Sequence, residues 1–210
     1  MPAGLTHLDL SNTNLGDSGL AAVPASVTSL NLAYTSVTND GLKQLAERTG
    51  LTALELTATD IENSALMVIA KLTNLTDLRI SYGRYDDKGI AALAALTRLE
   101  HLEMVRTRLT DVGLKALSGL AQLKTLRLDY TAVSDAGIAS LPAALEELRL
   151  DTANVSDAGV DALARLTKLK LLNLYHTTVT EKGYEKLKAA LPGCRIIYDR
   201  DSAIPNRRKS

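Results

Sequence analysis

The sequence predicts an α/β solenoid, a row of stacked coils in which each coil contributes one short strand and one short helix. The main observation is a frame, Leu-x-x-Leu-x-Leu, that recurs at a spacing of 22 or 24 residues. Repetition at a fixed period of this length is typical of solenoids. Phe and Trp are absent, so the core is expected to be almost entirely aliphatic. The eight copies begin at Leu5, Val27, Leu51, Leu75, Leu99, Leu123, Leu145 and Leu169.

Residues 99–122 show how one coil is expected to fold. Leu102 and Met104 occupy alternate positions, the pattern of a short strand with one buried face. Thr110 is a suitable helix N-cap, and Asp111 after it places a carboxylate at the positive end of the helix dipole. Leucines then recur every three residues, as on the buried side of a short helix. These are Leu114, Leu117 and Leu120.

Three further positions recur between strand and helix. A threonine follows the strand at Thr13, Thr35, Thr59, Thr107, Thr131 and Thr177. Its hydroxyl is expected to bond the backbone of its own coil and of the neighbouring coil, a structural role. Gly83 and Ala153 interrupt this column, so their coils are expected to be looser. A glycine follows the acid in most coils and is expected to allow either a close approach of helix to strand or an unusual backbone angle. Pro24 and Pro142 predict truncated helices in the first and sixth coils.

These motifs resemble the leucine-rich repeat family over residues 5–198, with Thr where the family signature has Asn or Cys. The resemblance implies a curved parallel sheet on the concave face, short helices on the convex face, and a role in protein binding. It implies no catalytic residue, because the family shares no active site. Residues 109–114 are similar to the cysteine-containing subclass of ubiquitin-ligase adaptors and to short bacterial repeats, and Thr in place of Cys favours the bacterial relatives. Residues 141–148 resemble units of bacterial effectors injected into host cells.

Composition and charge argue against several classes of function. The chain has 24 Lys plus Arg and 24 Asp plus Glu, so it lacks the basic excess that nucleic-acid binding usually needs. The single cysteine, Cys194, excludes an internal disulfide and a zinc site of the cysteine type. No apolar run approaches the ~20 residues of a membrane-spanning helix, and the N-terminus does not resemble a signal peptide. We expect a cytoplasmic protein, or one secreted or injected into a host if the chain is part of an effector.

Outward-facing positions of successive strands are expected to form columns with a spacing of about 4.8 Å. Arg and Tyr concentrate in the columns of coils four to seven, and both residue types are enriched at interface hot spots. The alternative is that Arg79, Glu103 and Arg127 only form a cross-strand ion ladder, worth about 0.2–1 kcal/mol per pair, and that the tyrosines only pack together. The predicted partner-binding residues are Arg79, Tyr82, Glu103, Arg106, Arg127, Asp129, Tyr130, Arg149, Asp151 and Tyr175.

Candidate catalytic and metal-binding residues do not come together in this pattern. His7, His101 and His176 are expected on the strand side but at least ~14 Å apart, whereas zinc holds its ligands within ~2.3 Å. Cys194 with His176 would be a candidate nucleophile and base, but Cys194 is expected on the buried side of a closing strand, as a structural thiol. The sequence therefore predicts no catalytic residue, no metal site and no cofactor.

The repeats and the closing strand are expected to form one domain over residues 1–198, followed by a tail over 199–210 that is expected to be disordered from about Ile204. Three functions fit this organisation. The first is a non-catalytic module that binds another protein on its concave face, with no nucleic acid or membrane partner. The second is the substrate-targeting domain of a larger protein, such as a ubiquitin ligase or a bacterial effector, because the first coil lacks a polar cap. The third is a self-associating scaffold that forms a homodimer through Leu5, Leu8 and Leu10 of that uncapped coil.

Overall fold

The computed structural model describes residues 4–203, in which nine short strands form a single parallel sheet. The strands lie in the sheet in the order in which they occur in the chain, so each coil adds at the edge of the previous one. The predicted solenoid is confirmed, and β9 lies where the sequence predicts a closing strand. The strands are β1 His7–Asp9, β2 Ser29–Asn31, β3 Ala53–Glu55, β4 Asp77–Arg79, β5 His101–Glu103, β6 Thr125–Arg127, β7 Glu147–Arg149, β8 Leu171–Asn173 and β9 Arg195–Ile197.

Short helices connect the strands. The α-helices are α1 Asn39–Leu42, α2 Asn63–Ile69, α3 Asp87–Ala92, α4 Asp111–Ala116, α5 Asp135–Ile138, α6 Val160–Ala164 and α7 Glu181–Ala190. Short 3-10 helices span Asp17–Ala22, Lys43–Leu45, Leu93–Ala95, Leu117–Gly119, Asp157–Gly159 and Arg200–Ala203. The first coil has only its 3-10 helix before Pro24, and α5 has four residues before Pro142. The truncation predicted from the two prolines is therefore confirmed.

The core is a continuous column of aliphatic side chains. Leu78, Leu102 and Leu126 come from the middle of three successive strands, face one another in the sheet register, and are at most 1% exposed. Burying a leucine side chain contributes about 1.5–3 kcal/mol relative to leaving it in water. Because each coil buries its leucines against its neighbours, the stability of a coil depends on the coils beside it.

The threonine after each strand closes the turn of its own coil. The hydroxyls of Thr35, Thr59 and Thr131 donate to the carbonyl oxygen three residues earlier at 2.6–2.7 Å. The hydroxyls of Thr13, Thr107 and Thr177 do the same. The structural role predicted for this column is confirmed, although within residues 4–203 each hydroxyl serves its own coil rather than the neighbouring one.

Tyr85 takes over this role in the coil that has Gly83 instead of threonine. The hydroxyl of Tyr85 donates to the carbonyl oxygen of Ile80, the residue three positions before Gly83. The ring lies where a side chain at position 83 would be, since an added Cβ there would overlap Cε1 of Tyr85. Tyr85 is fully buried, and burial raises its pKa well above the ordinary value. The expectation of a looser coil is wrong at Gly83, because the tyrosine fills the space.

A second recurring contact joins each coil to the next, and we call it the acid–hydroxyl ladder. Oδ1 of Asp111, in the first turn of α4, accepts the backbone N–H of Ser134 at 2.7 Å, and Oδ2 accepts the Ser134 hydroxyl at 2.5 Å. Ser134 is also the N-cap of α5, where its oxygen accepts the N–H of Ala136. One hydroxyl therefore serves two coils. Equivalent pairs are Asp17–Thr38, Asp87–Thr110, Asp135–Ser156 and Asp157–Thr180.

The glycine three residues after the helix N-cap leaves room for the aspartate side chain of the preceding coil. An added Cβ on Gly137 would overlap Oδ1 of Asp111 and would lie 3.1 Å from its Cγ. Gly41, Gly113, Gly159 and Gly183 meet the aspartate of the coil before them in the same way. The predicted close approach is therefore between one helix and the neighbouring carboxylate, and the expectation that the glycine serves helix-to-strand packing is wrong at these positions.

The two ends of the stack are covered differently. Leu5, Leu8 and Leu10 of the first coil are partly exposed, whereas the equivalent Leu30 and Leu32 of the second coil are at most 1% exposed. At the other end, the ring of Tyr184 on α7 stacks on the ring of Tyr198 with centroids 4.7 Å apart. The apolar end of the first coil is thus more open to contact.

The chain beyond β9 packs against the last coil. Arg200–Ala203 forms a 3-10 turn, and the buried Ser202 hydroxyl donates to the carbonyl oxygen of Thr177 at 3.0 Å. The guanidinium of Arg200 pairs with Glu181 at 2.6 Å. The first part of the predicted tail, 199–203, therefore packs against the fold, and the part expected to be disordered, from 204 on, lies outside the described residues.

Candidate functional site

The outward positions of the strands form one surface, which we call the strand face. Its central column runs across the sheet in register, with Arg79 opposite Glu103, Glu103 opposite Arg127, and Arg127 opposite Arg149. The column two residues earlier runs parallel to it and contains Asp77, His101, Thr125 and Glu147. The predicted columns are therefore present, and four of the predicted site residues lie side by side in one of them.

The arginines of the strand face lie within ion-pair distance of acids on their own or on neighbouring strands. Arg127 lies between Glu103, at 3.4 Å, and Glu147, at 3.2 Å. Arg149 contacts the same Glu147 carboxylate at 2.7 Å. These side chains are partly exposed, so each pair stabilises the fold by at most about 1 kcal/mol. The expected ion ladder is present only between Glu103 and Arg127, and Glu147 is a member that the sequence prediction missed.

Arg79 departs from the predicted pairing. Its guanidinium contacts Asp77, two residues earlier on the same strand, at 3.2 Å, and Glu55 of the preceding coil at 3.8 Å. Glu103, its partner in the expected ladder, raises the pKa of Arg79 only through the longer-range effect of its charge. Arg79 is therefore turned towards the earlier coils.

The carboxyl groups of this surface experience different environments. Partial burial acts to raise the pKa of Glu147, but the hydrogen bond from Arg149 and the charges of both arginines outweigh it and lower the pKa. For Glu55 and Asp129, burial is the largest effect and their pKa values are raised. These two acids are ionised at a cost that their neighbours do not fully offset.

A shallow depression lies at the centre of the strand face. Its volume is about 310 Å³, and it is open to solvent on one side. It is lined by Asp77, Arg79, His101, Leu102, Glu103, Thr125, Arg127 and Glu147. Charged groups of both signs therefore line this concavity, which suits a polar segment of another molecule better than an apolar ligand.

A row of side chains borders the strand face where each strand turns away, and we call it the ridge. Its members are Asn12, Tyr34, Ala58, Tyr82, Arg106, Tyr130, Thr152 and His176, all with backbone φ between 52° and 63°. This left-handed conformation is uncommon for residues other than Gly, Asn and Asp. Because the backbone is the same in every coil, the side chains of the ridge leave the chain in the same direction.

The ridge carries most of the exposed aromatic surface of the described residues. Tyr34, Tyr82 and Tyr130 are 57%, 49% and 41% exposed. The guanidinium carbon of Arg106 lies 4.4 Å from the ring centroid of Tyr130 and 5.9 Å from that of Tyr82. Such cation–π contacts contribute about 0.5–1 kcal/mol each at exposed sites. Tyr82, Arg106 and Tyr130, which are all predicted site residues, therefore form one stacked group.

The remaining predicted residues form a third group beside the ridge. Oδ1 of Asp129 accepts the backbone N–H of Asp151 at 2.8 Å. Oδ1 of Asp151 contacts Nδ1 of His176 at 3.0 Å. The ring of Tyr175, 40% exposed, lies beside that of His176 with centroids 3.9 Å apart. Tyr175 belongs to the column next to the ridge, not to the ridge itself.

Residues 4–203 show neither an activated thiol nor a cluster of metal ligands. Burial raises the pKa of the Cys194 thiol, which is opposite to the change that activates a nucleophilic cysteine. No cluster of three or more His, Cys, Asp or Glu suited to a metal ion occurs within residues 4–203. In the same part of the chain, no helix combines the length and apolar character needed to cross a membrane.

Comparison with known proteins agrees with the geometry of the coils. A family model described as Leucine Rich repeat matches residues 5–23, 24–46 and 95–118. The matched stretches are leucine-rich repeats, in agreement with the resemblance seen in the sequence. No curated protein matches it in sequence.

Two solved leucine-rich repeat structures of Listeria monocytogenes are similar in fold. The internalin InlF has a TM-score of 0.63 and 20% identity over 82% of this chain. The internalin C2, InlC2, has a TM-score of 0.66 and 26% identity, covering 90% of this chain and 79% of its own. The chain spans 54% of the InlF structure, about half its length. The shared feature is the repeat fold.

Proposed function

We propose that this chain is a non-catalytic protein-binding module whose contact surface is the strand face and ridge of coils four to seven. The observation that supports it most is the stacked group of Tyr82, Arg106 and Tyr130, whose large side chains are held at the surface by a left-handed backbone. Tyr and Arg combine contact area with hydrogen-bonding groups and are the residues most often found at interface hot spots. A surface that contacts only solvent would gain nothing from large side chains at positions of strained backbone.

The ion pairs beside this group fit the rim of such an interface. Arg127 and Arg149 are already neutralised by Glu103 and Glu147, so covering them does not leave an uncompensated charge. The depression they line offers hydrogen-bonding groups to a polar segment of the partner. Ion pairs within the strand face are therefore compatible with a binding role. A cross-strand ion ladder alone would explain the paired charges but not the exposed tyrosines of the ridge.

The experiment is photo-crosslinking at single positions in cells of the source organism. A photoreactive phenylalanine analogue replaces Tyr130 on the ridge or Met67 on α2, which is 65% exposed on the helix side. We expect the same discrete adduct from ridge positions and none from Met67. Adducts of equal yield from Met67, or none from the ridge, would contradict the placement.

A substitution experiment provides the matched test. Changing Arg106, Arg127 and Tyr130 together to Ala should abolish formation of the crosslinked complex when the probe is at Tyr82. Changing Met67 and Val112 to Ala removes exposed apolar surface of α2 and α4 and should leave the complex intact. Thermal melts of both variants distinguish loss of binding from loss of fold.

Self-association is a second candidate function, favoured by the partly exposed leucines of the first coil. An apolar solenoid end can stack on a second copy of the chain. Sedimentation velocity at increasing concentration tests this: Leu8→Asp should abolish a dimer if the first coil forms it. A monomer at high concentration would eliminate this candidate.

The wider biological setting is part of the proposal. A substrate-targeting domain of a larger protein, such as a ubiquitin ligase or an injected bacterial effector, remains an alternative that uses the same binding surface. A cytoplasmic location, or secretion or injection in the case of an effector, follows from whichever of these holds. Fractionation of the source cells with an antibody against this domain would distinguish them.

A further inference from the structure

Two arginines of the fifth coil differ from the other arginines near the binding surface. Arg79, Arg84, Arg127 and Arg149 each lie within ion-pair distance of a carboxylate. Within residues 4–203, Arg106 and Arg108 form no ion pair, although both are exposed. The surface therefore carries uncompensated positive charge at one place, next to the exposed tyrosines of the ridge.

Arg106 is held in position without using its hydrogen-bond donors. Its guanidinium lies over the rings of Tyr130 and Tyr82, at 4.4 and 5.9 Å from their centroids. A cation–π contact uses the charge of the guanidinium and does not consume its five N–H donors. Within the described residues the side chain of Arg106 donates no hydrogen bond. It is an ordered cation with its donors unused.

We infer that Arg106 anchors a carboxylate of the bound protein, with Tyr82 and Tyr130 contacting the apolar residues beside it. This inference rests on the proposed function and identifies the chemistry of the partner: an exposed segment that carries Asp or Glu next to an apolar residue. A guanidinium binds a carboxylate through two parallel hydrogen bonds, which fixes orientation as well as affinity. The stacked tyrosines reduce the entropy lost on binding, because the arginine is already ordered.

The charge of the surroundings favours a carboxylate over a phosphate. Asp129 is adjacent to Tyr130 in the chain, and burial raises its pKa. The backbone N–H of Asp151 acts to lower that pKa, whereas the negative charge of the Asp151 carboxylate acts to raise it. A phosphate group carries nearly two negative charges at neutral pH and would be repelled by these acids about twice as strongly as a carboxylate. Extended polyanions would also meet Asp77, Glu103 and Glu147 of the strand face.

The test begins with a display library of short random peptides, selected in parallel on the wild-type protein, on Arg106→Gln and on Arg84→Gln. Arg84 is a matched control, because it is exposed nearby but already paired with Asp60. We expect peptides selected by the wild type and by Arg84→Gln to share an acidic residue at a fixed position next to an apolar one. Selection on Arg106→Gln should lose that enrichment.

One selected peptide then serves as the probe in a double-substitution cycle measured by calorimetry. Replacing its acidic residue by Gln should weaken binding to the wild type by about ten- to hundredfold, the effect of one charge-assisted hydrogen-bonded pair. The same replacement should have no effect on binding to Arg106→Gln. Additive losses would overturn the inference, as would a phosphoserine version of the peptide that binds more tightly than the original.

The outcomes separate this inference from the proposed function. Peptides that require the strand face but show no acidic preference overturn only the carboxylate anchor. Peptides whose binding is unaffected by Tyr130→Ala and by Arg127→Ala contradict the proposed surface itself. Failure to recover any binder counts against both proposals. Because Arg106 is exposed and loses only its cation–π contacts, its Gln variant should melt slightly below the wild type and remain folded at the assay temperature, so that a loss of binding is not a loss of fold.

Discussion

The acid–hydroxyl ladder and the ridge occupy equivalent positions in successive coils but follow opposite rules. In the ladder, residue type is almost constant: an aspartate in one coil, a hydroxyl and a glycine in the next. In the ridge, the backbone is constant, with φ between 52° and 63°, while the side chains range from Ala to Arg and Tyr. Constant chemistry indicates a role in holding the coils together. Varied chemistry on a constant, strained backbone fits the contact surface proposed above.

The largest loss of stability should follow from adding a side chain at a glycine of the acid–hydroxyl ladder. Gly137→Ala places a methyl group against the Asp111 carboxylate, which is held by two hydrogen bonds to Ser134 and cannot move freely. We expect a loss of about 2–3 kcal/mol in the free energy of unfolding, measured by urea denaturation. Gly119→Ala is the control, because nothing lies within 4 Å of its added Cβ. Equal effects of the two substitutions would contradict the role given to the ladder.

The same contact predicts a specific non-additivity. Asp111→Ala alone loses both hydrogen bonds to Ser134, at a cost of about 2 kcal/mol. In the double variant with Gly137→Ala, the carboxylate that causes the overlap is gone. The combined loss should therefore be smaller than the sum of the single losses by at least about 1 kcal/mol. Simple additivity in the denaturation cycle would show that the glycine acts through backbone conformation instead.

A smaller loss is expected where the threonine column is replaced by Tyr85. Tyr85→Phe leaves the carbonyl oxygen of Ile80 without its hydroxyl partner in a buried turn. We expect a loss of about 1–2 kcal/mol. Tyr184→Phe on α7 is the control, since that ring stacks on Tyr198 but its hydroxyl donates no hydrogen bond within residues 4–203. A thermal melt that distinguishes the two variants tests whether the hydroxyl, not the ring, satisfies the turn.

Relief of backbone strain on the ridge should stabilise the protein, in contrast to the substitutions above. Ala58→Gly keeps the left-handed turn without a Cβ and should stabilise the protein by about 0.5–1 kcal/mol. Ala53→Gly, in the extended strand β3, should destabilise it by a similar amount. If both substitutions destabilise, the ridge conformation is not strained, and its tyrosines need no functional explanation.

The smallest effect should come from the desolvated acid beside the ridge. The pKa of Asp129 is raised by burial, so its ionised form costs stability as pH rises above the unfolded-state value near 3.8. Asp129→Asn keeps an acceptor for Asp151 and should stabilise the protein by about 0.5 kcal/mol at neutral pH, with the gain lost in acid. Glu147→Gln should show the opposite sign, because the pKa of Glu147 is lowered. The pH dependence of the melting temperature distinguishes them.

The sequence was sufficient to predict the coils and the columns, because leucine spacing fixes both the fold and the register. Strand neighbours such as Arg79, Glu103 and Arg127 were placed correctly for that reason. The pairing of Arg79 with Asp77 was not predicted, since a long side chain can reach several acids and the choice depends on rotamers. The contribution of Glu147 was missed because only one of the two strand columns was considered for ion pairs.

The ladder and the ridge backbone were also beyond the sequence prediction, for different reasons. Tyr, Arg and Ala have no preference for left-handed conformation, so only Asn12 and His176 carry a local signal for the ridge. The ladder does carry a signal: an aspartate is followed 21 or 23 residues later by Ser or Thr, as in Asp17–Thr38 and Asp111–Ser134. That spacing was interpreted only as a helix cap within each coil, because hydrogen bonds between coils require the stacking geometry.

Each interior coil built on this pattern carries two hydrogen-bonding groups: a hydroxyl that contacts the preceding coil and an acid that contacts the next one. The fifth, sixth and seventh coils do so, with Thr110 and Asp111, Ser134 and Asp135, and Ser156 and Asp157. A duplicated copy of such a unit would find matching partners on both sides. Arrays of this kind can therefore grow or shrink by whole units during evolution, or in the laboratory, without any new interface having to be invented.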